Sequence, residues 1–463
     1  MAHASDAPIT RALSSFVAGF SPDALPDPVK TCATEMVLDG AGALIAAANP
    51  HLSTGRRVAG FVESQGGKPQ AWVIGHGQRT SAVMAALANG TMGYACDVEP
   101  HHPEGVLHPI AVMLPTALAL GELTGATGAR LMGAIVLGCE IEYRLSMALG
   151  PVEQYNLGFH PSAVCGCFGA TAAASFLLGL DAEKVRRAFG LAGCQASGLM
   201  AWESDETENS RPFQMGMAAR NGVTSALLAK DGFGGPIAIF DHGHTVFGAF
   251  SRNPKPHLLT EGLGERWDGT VELAIKPYSS VSFLHPGLDA LLGLARENAL
   301  KIGDVAAITL RFPSSGTHCI DGNPLKSHCA QYILPVALSD AGLNVVDIFD
   351  DRRLTDPEVK RLSRRVTVIQ DAELDRLFPD FYATIVEIET TDGRRLTRRN
   401  DIARGYPEAP MPTAEREAKF RKLAGTVCAP ARVETLKGTI EGLWTAPDIA
   451  GFAALMGARP DAA

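Results

Sequence analysis

The chain has 463 residues, 46% of them hydrophobic and 20% charged, with a formal charge of −9 and a pI near 5.8. That length exceeds what one core usually supports, and the composition is that of a folded globular protein, which excludes a disordered or fibrous chain. The acidic balance argues against nucleic acid as a partner. No apolar run is long enough to cross a membrane, and Met1-Ala-His-Ala-Ser-Asp6 is no basic, apolar leader; a cytoplasmic protein is expected. Nine cysteines are scattered, only Cys165-Gly-Cys167 lie close together, and they read as small buried hydrophobes.

Residues 7–24 read as a capped amphipathic helix. Asp27-Pro28 opens a long helix over 29–48, with Met36, Val37, Ala41, Leu44 and Ile45 at helical spacing. A short strand at 71–74 precedes a helix over 81–94. A polar loop follows, carrying Asp97, Glu99, His101, His102, Glu104 and His108. Helices are then expected over 110–123, 130–149, 162–180, 183–196 and 213–230. Their many small residues predict close packing with burial on several sides. From Lys276 the pattern changes to alternation: 304–312, 365–370 and 381–390 read as strands, and Asp392-Gly393 turns a hairpin into 394–399. Helices at 286–299, 330–341 and 356–363 lie between them. After the proline-rich stretch Tyr406–Pro412 the chain is helical again. The expected fold is mainly α: a helical domain (1–269), an α+β lid (270–405) and a helical return (406–463).

The candidate chemistry lies where helices begin. His108-Pro109, His160-Pro161, Arg211-Pro212 and His285-Pro286 each place a basic side chain against a helix start. Proline suits a first turn and biases the residue before it toward extended backbone. Any one of these alone is most simply an ordinary helix start with a satisfied or solvated side chain. The recurrence points further: helix N-termini, imidazoles and a guanidinium suit a small polyanion, and histidine moves protons near neutral pH. Arginine's planar fork suits a carboxylate. Proton abstraction next to a carboxylate is the chemistry such a set would perform. The 97–108 loop is a solvated acidic loop or, alternatively, a metal site, although its spacing matches no specific ligand pattern. No P-loop, dinucleotide fingerprint or nucleophile elbow is present.

At these residues the sequence resembles the MmgE/PrpD family. The resemblance runs through Asn89-Gly-Thr91, Asp97 and His108-Pro109 to Gly158-Phe-His-Pro161. It continues through Arg211-Pro212, Gly216, Asn221-Gly222, Lys276-Pro-Tyr278, His285 and Gln331-Tyr-Ile-Leu-Pro335 to Glu408-Ala-Pro-Met411 and Lys419-Phe420. It implies a helical domain with an α+β lid, a homodimer, and a site between the domains that uses no metal or organic cofactor. The residues carried over are Asp97, His108, His160 and His285. The chain departs from the family where Asp97-Val-Glu-Pro-His101 replaces an aspartate-rich stretch, where Arg211 stands for the lysine of related decarboxylases, and where Val336 stands for their tyrosine.

The resulting expectation is a cofactor-free lyase, a dehydratase first, of a small di- or tricarboxylic acid resembling 2-methylcitrate. His160 or His108 is the base and the other the acid, Asp97 orients a histidine, and His285 closes the site from the lid. Arg211, with His101, Lys276 and Tyr278, binds substrate. Epimerisation, decarboxylation, metal-dependent hydration and non-catalytic carboxylate binding are the alternatives.

Overall fold

The computed structural model describes residues 7–340, 343, 345–349, 352–378 and 381–461. The stretch Met1–Asp6, expected not to be a leader, and the last residue of the expected 330–341 helix lie outside them. The fold is mainly α with an additional α+β region. Five helices form the middle of the body: Ala82–Tyr94, Pro109–Thr124, Gly128–Leu149, Pro161–Leu177 and Ser210–Lys230. The helix Pro161–Leu177 is buried along its whole length. Such burial requires neighbours on every side, and glycine makes the approach possible. A Cβ on Gly90 would lie 2.8 Å from the Cα of Gly216, and one on Gly169 would lie 2.6 Å from the carbonyl oxygen of Gly138. Alanine at either crossing would push two helices apart.

The starts of these helices follow the local chemistry. His108 (φ −126°, ψ 61°) and His160 (φ −93°, ψ 109°) are the residues just before helices whose first residue is proline. Arg211 and His285 differ from expectation. Both lie inside the first turn, in helices Ser210–Lys230 and His285–Glu297, with proline directly after them. The first turn has no internal use for the proline N–H, so the following proline is tolerated and the pre-proline bias is overridden. The helix expected over 7–24 also stops early. It runs Pro8–Gly19, and Phe20 is extended ahead of a short turn at Pro22–Ala24. The helix Ser53–Gln65 and the hairpin of β1 (Ala71–Val73) with β2 (Gln78–Thr80) complete this part.

The second core is a four-stranded sheet. Strands β3 (Val305–Pro313), β4 (Val366–Asp371), β5 (Thr384–Thr390) and β6 (Arg395–Asn400) lie in the order β4-β3-β5-β6, with only β3 and β4 parallel. The inward residues Ile308, Leu310, Val386 and Ile388 alternate along the strands. They pack with Leu288 and Leu291 of His285–Glu297 and with Ile333 of Ala330–Asp340. After the sheet the chain rejoins the helical core. Phe420, Leu423, Val433, Leu436 and Phe452 are buried with the first-half helices. Lys419 Nζ bonds Asp39 Oδ1 at 2.7 Å and the carbonyl of Val98 at 2.7 Å.

One buried side chain has no such compensation. Glu142 is fully buried on Gly128–Leu149, and neither carboxyl oxygen has a hydrogen-bond partner among the described residues. Burial raises its pKa well above the ordinary carboxyl value, so the folded protein holds it neutral. Above the ordinary pKa the unfolded chain ionises while the folded chain keeps its proton, and stability falls by about 1.4 kcal/mol per pH unit over that window. We therefore expect Glu142→Gln to match wild type near pH 4 and to exceed it in stability at pH 8. Urea unfolding at the two pH values checks this; equal pH dependence of both proteins would contradict it.

Candidate active site

A cavity of about 570 Å³ opens between the helical body and the segments that lead into the sheet. His101, His108, Arg211, Lys276 and His328 line it, with Trp202 and Tyr155 beside them. Its size suits a small organic ligand. The floor comes from the 97–108 loop, which the segment leading into the second core holds in place. His101 N–H donates to Ala274 O at 3.0 Å, Ala274 N–H returns a bond to His101 O at 2.7 Å, and Ser279 Oγ bonds Cys96 O. Asp97 sits in the left-handed region (φ 47°), which aspartate tolerates better than most residues.

Two cations face the cavity. Lys276 is buried, its ammonium paired with Asp97 and 3.9 Å from Glu99. Arg211 lies between the faces of Tyr94 and Trp202, its guanidinium carbon 4.5 and 4.6 Å from the two ring centres. Nη1 of Arg211 is 3.6 Å from Asp97 Oδ2 and 3.2 Å from His328 Nε2. Burial lowers the Arg211 pKa to about 9, which leaves it charged at neutral pH. Both cations can donate to the oxygens of an anionic ligand in the cavity.

The histidines differ in how their ring nitrogens are engaged. His108 Nδ1 is 2.7 Å from Glu99 Oε1 and its Nε2 is 3.1 Å from the Tyr94 hydroxyl. Nδ1 and Glu99 Oε1 are in contact without hydrogen-bond geometry, and Nε2 is the nitrogen hydrogen-bonded to Tyr94. Burial, reinforced by Lys276, holds the His108 pKa well below its ordinary value. The carboxylate beside His108 is thus Glu99, whereas Asp97, expected to orient a histidine, binds the two cations. His101 Nε2 meets Ser282 Oγ at 3.2 Å, and its ring stacks 6.0 Å from that of His108. His102 is fully used: Nδ1 accepts from Gly105 N–H at 3.1 Å, and Nε2 donates to Asp268 O at 3.2 Å.

His160, His285 and Tyr278 do not line the cavity. His160 is fully buried behind Tyr155 and Trp202, its ring centre 6.3 and 5.8 Å from theirs. Its Nδ1 donates to Gln214 Oε1 at 2.8 Å, an assignment fixed because Gln214 Nε2 donates to Leu199 O at 2.8 Å. The other nitrogen, Nε2, is buried without a partner among the described residues. His285 turns back on its own segment, Nε2 to Ser280 O at 3.2 Å, because it lies in the helix and not ahead of it. The Tyr278 hydroxyl donates to Asp289 Oδ1 at 2.7 Å. Among the described residues no three His, Cys, Asp or Glu side chains gather as a metal ion would require.

Sequence reasoning passed over His328, Tyr94 and Trp202, and it read Glu99 only as a metal ligand. His328 stands two residues before the helix Ala330–Asp340, a basic side chain at a helix start without the proline that marked the others. Nothing local distinguishes Tyr94 or Trp202, which converge on Arg211 only in the folded chain.

Comparison with known proteins was made against this geometry. Residues 11–259 match the model of the MmgE/PrpD N-terminal domain, and residues 278–443 match that of the MmgE/PrpD C-terminal domain. A cis-aconitate decarboxylase of Aspergillus terreus is 29% identical over 97% of this chain and 96% of its own. The cis-aconitate decarboxylase of Homo sapiens is 30% identical over 79% of this chain and 77% of its own. A 2-methylcitrate dehydratase of Cupriavidus necator is 26% identical over 46% and 45%.

Burial lowers the His160 pKa to about 4. Nitrogen-15 imidazole spectra should accordingly show His160 neutral, with the proton on Nδ1, from pH 8 down to pH 5. A midpoint near the ordinary 6.5 would show that its nitrogens are hydrated and not enclosed as described.

Proposed function

The chain belongs to the MmgE/PrpD family, and on that premise we propose that it is a cofactor-independent lyase acting on a small di- or tricarboxylic acid. The observation that carries this reading is one cavity holding two cations, Arg211 and Lys276, beside a carboxylate-backed imidazole, Glu99–His108. The cations bind substrate carboxylates. His108 Nε2, once substrate displaces the Tyr94 hydroxyl, takes the proton from the carbon next to a bound carboxylate. Negative charge then develops on that carboxylate, where Lys276 and Arg211 stabilise it more in the transition state than before it. Glu99 stabilises the imidazolium that forms, and the imidazolium returns its proton to the departing hydroxyl.

Dehydration uses both halves of this cycle, a base and then an acid, and is the reaction the geometry supports best. Decarboxylation is the second reading, supported by the relatives named cis-aconitate decarboxylase that align over nearly their whole length. It needs only the acid half: the imidazole takes a proton from water, and the imidazolium gives it to the carbon that loses carbon dioxide. Citrate-, aconitate- and succinate-like acids, followed by alkene absorbance and by carbon dioxide release, separate the two. Thermal stabilisation by these acids with no turnover of any would make the chain a binding protein. A homodimer belongs to the same proposal, and its mass in solution tests it.

Substitutions divide the roles. His108→Asn should lower kcat by roughly two to four orders of magnitude with little change in KM. Arg211→Met should chiefly raise KM, and Arg211→Lys should recover part of that loss by restoring the charge without the fork. His160→Gln should lower kcat far less than His108→Asn; the reverse order would move the proton transfer to His160. Activity should survive exhaustive EDTA treatment, and loss restored by a metal would replace this mechanism.

A further inference from the structure

We propose that His328 is a positioning residue, a neutral acceptor that aims Arg211 into the cavity without neutralising its charge. The inference rests on the reading of Arg211 as the grip for a substrate carboxylate. Arg211 can only donate, so the contact of Nη1 with His328 Nε2 at 3.2 Å requires that nitrogen to accept. The proton of His328 is then on Nδ1, which donates to Ser327 Oγ at 2.9 Å. Ser327 Oγ donates in turn to Glu208 Oε2 at 2.5 Å. Glu208 is itself anchored, since Oε1 accepts the backbone N–H of Lys326 at 2.6 Å. Every donor in this chain faces an acceptor, and its direction is fixed from Arg211 to Glu208.

The chain also crosses the molecule. Glu208 and Arg211 flank the start of a helix of the first core, while Ser327 and His328 precede a helix of the second. Seating of the second core thereby adds the His328 contact to those that Tyr94, Trp202 and Asp97 already make with Arg211. The chemical identity of the acceptor matters because Nη1 has a competitor: Asp97 Oδ2 stands 3.6 Å away on the other side. Without His328 the guanidinium would swing fully onto Asp97, and an ion pair with a carboxylate would take the charge that a substrate needs. A charged acceptor at position 328 would do the same. His328 is held neutral first by burial, with Trp202 covering it at ring centres 5.8 Å apart, and then by the positive charge of Arg211 and Lys276.

The test is binding of propane-1,2,3-tricarboxylate, an unreactive polycarboxylate, by calorimetry on the full chain and its variants. His328→Gln keeps a neutral acceptor and should bind within about threefold of wild type, whereas His328→Leu should bind roughly tenfold more weakly. His328→Glu should bind more weakly still at pH 8 and recover as the pH is lowered and its carboxyl protonates, a response that a purely structural defect would not give. Thermal midpoints of all three show which variants are folded; the Gln and Leu pair decides the matter if Glu is not. Equal weakening by Gln and Leu, or a Glu variant as tight as Gln at pH 8, overturns the proposal. A wild-type chain that binds and turns over no polycarboxylate overturns the functional reading, and this proposal with it.

Discussion

The buried ion pair between Lys276 and Asp97 is the contact on which the site depends. Its partners come from opposite sides, Asp97 from the loop after Ala82–Tyr94 and Lys276 from the segment that leads into the second core. Neither charge is tolerable there alone, because a buried charge without its partner costs several kcal/mol. The pair therefore forces the loop to end where the second core begins. It holds Asp97 in a left-handed conformation, leaves Glu99 free to meet His108, and supplies the carboxylate against which Arg211 is balanced.

Tight helix packing makes that arrangement rigid. Glycines at the Gly90–Gly216 crossing bring Ala82–Tyr94 against Ser210–Lys230. Tyr94 is on the first helix and Arg211 on the second, so backbone contact at the crossing helps place the ring under the guanidinium. The same body contains the unpartnered Glu142 and the enclosed His160, polar groups whose neutral forms are held by burial. The proposed chemistry uses groups that line a cavity instead, the cations Lys276 and Arg211 and the imidazole of His108.

The element types were legible in the sequence because they follow from local periodicity. The alternation of 304–312 and 381–390 and the turn at Asp392-Gly393 lead to β3, β5 and β6, and the small-residue run after Pro161 leads to a helix buried on all sides. The His-Pro and Arg-Pro pairs marked helix starts correctly for His108 and His160 but placed His285 one position and Arg211 two positions too far out. A proline in a first turn is compatible with either position. Only the packing of the turn selects between them.

The sequence by itself determined the fold class, the change of pattern near Lys276 and the family, since each rests on residues close together in the chain or on a long run of matched motifs. It also marked Asp97, His101, His108, Arg211 and Lys276 as chemistry-bearing. The tertiary structure alone decided which of the marked residues share a cavity. It put His160 behind Trp202, turned His285 and Tyr278 inward to Ser280 and Asp289, paired Glu99 instead of Asp97 with His108, and brought His328 to Arg211 from 117 positions away. The reason is physical: spacing along a chain fixes which side chains can share a helix face or a strand face, but the partner of a buried charge is chosen by desolvation across elements that only the folded core brings together.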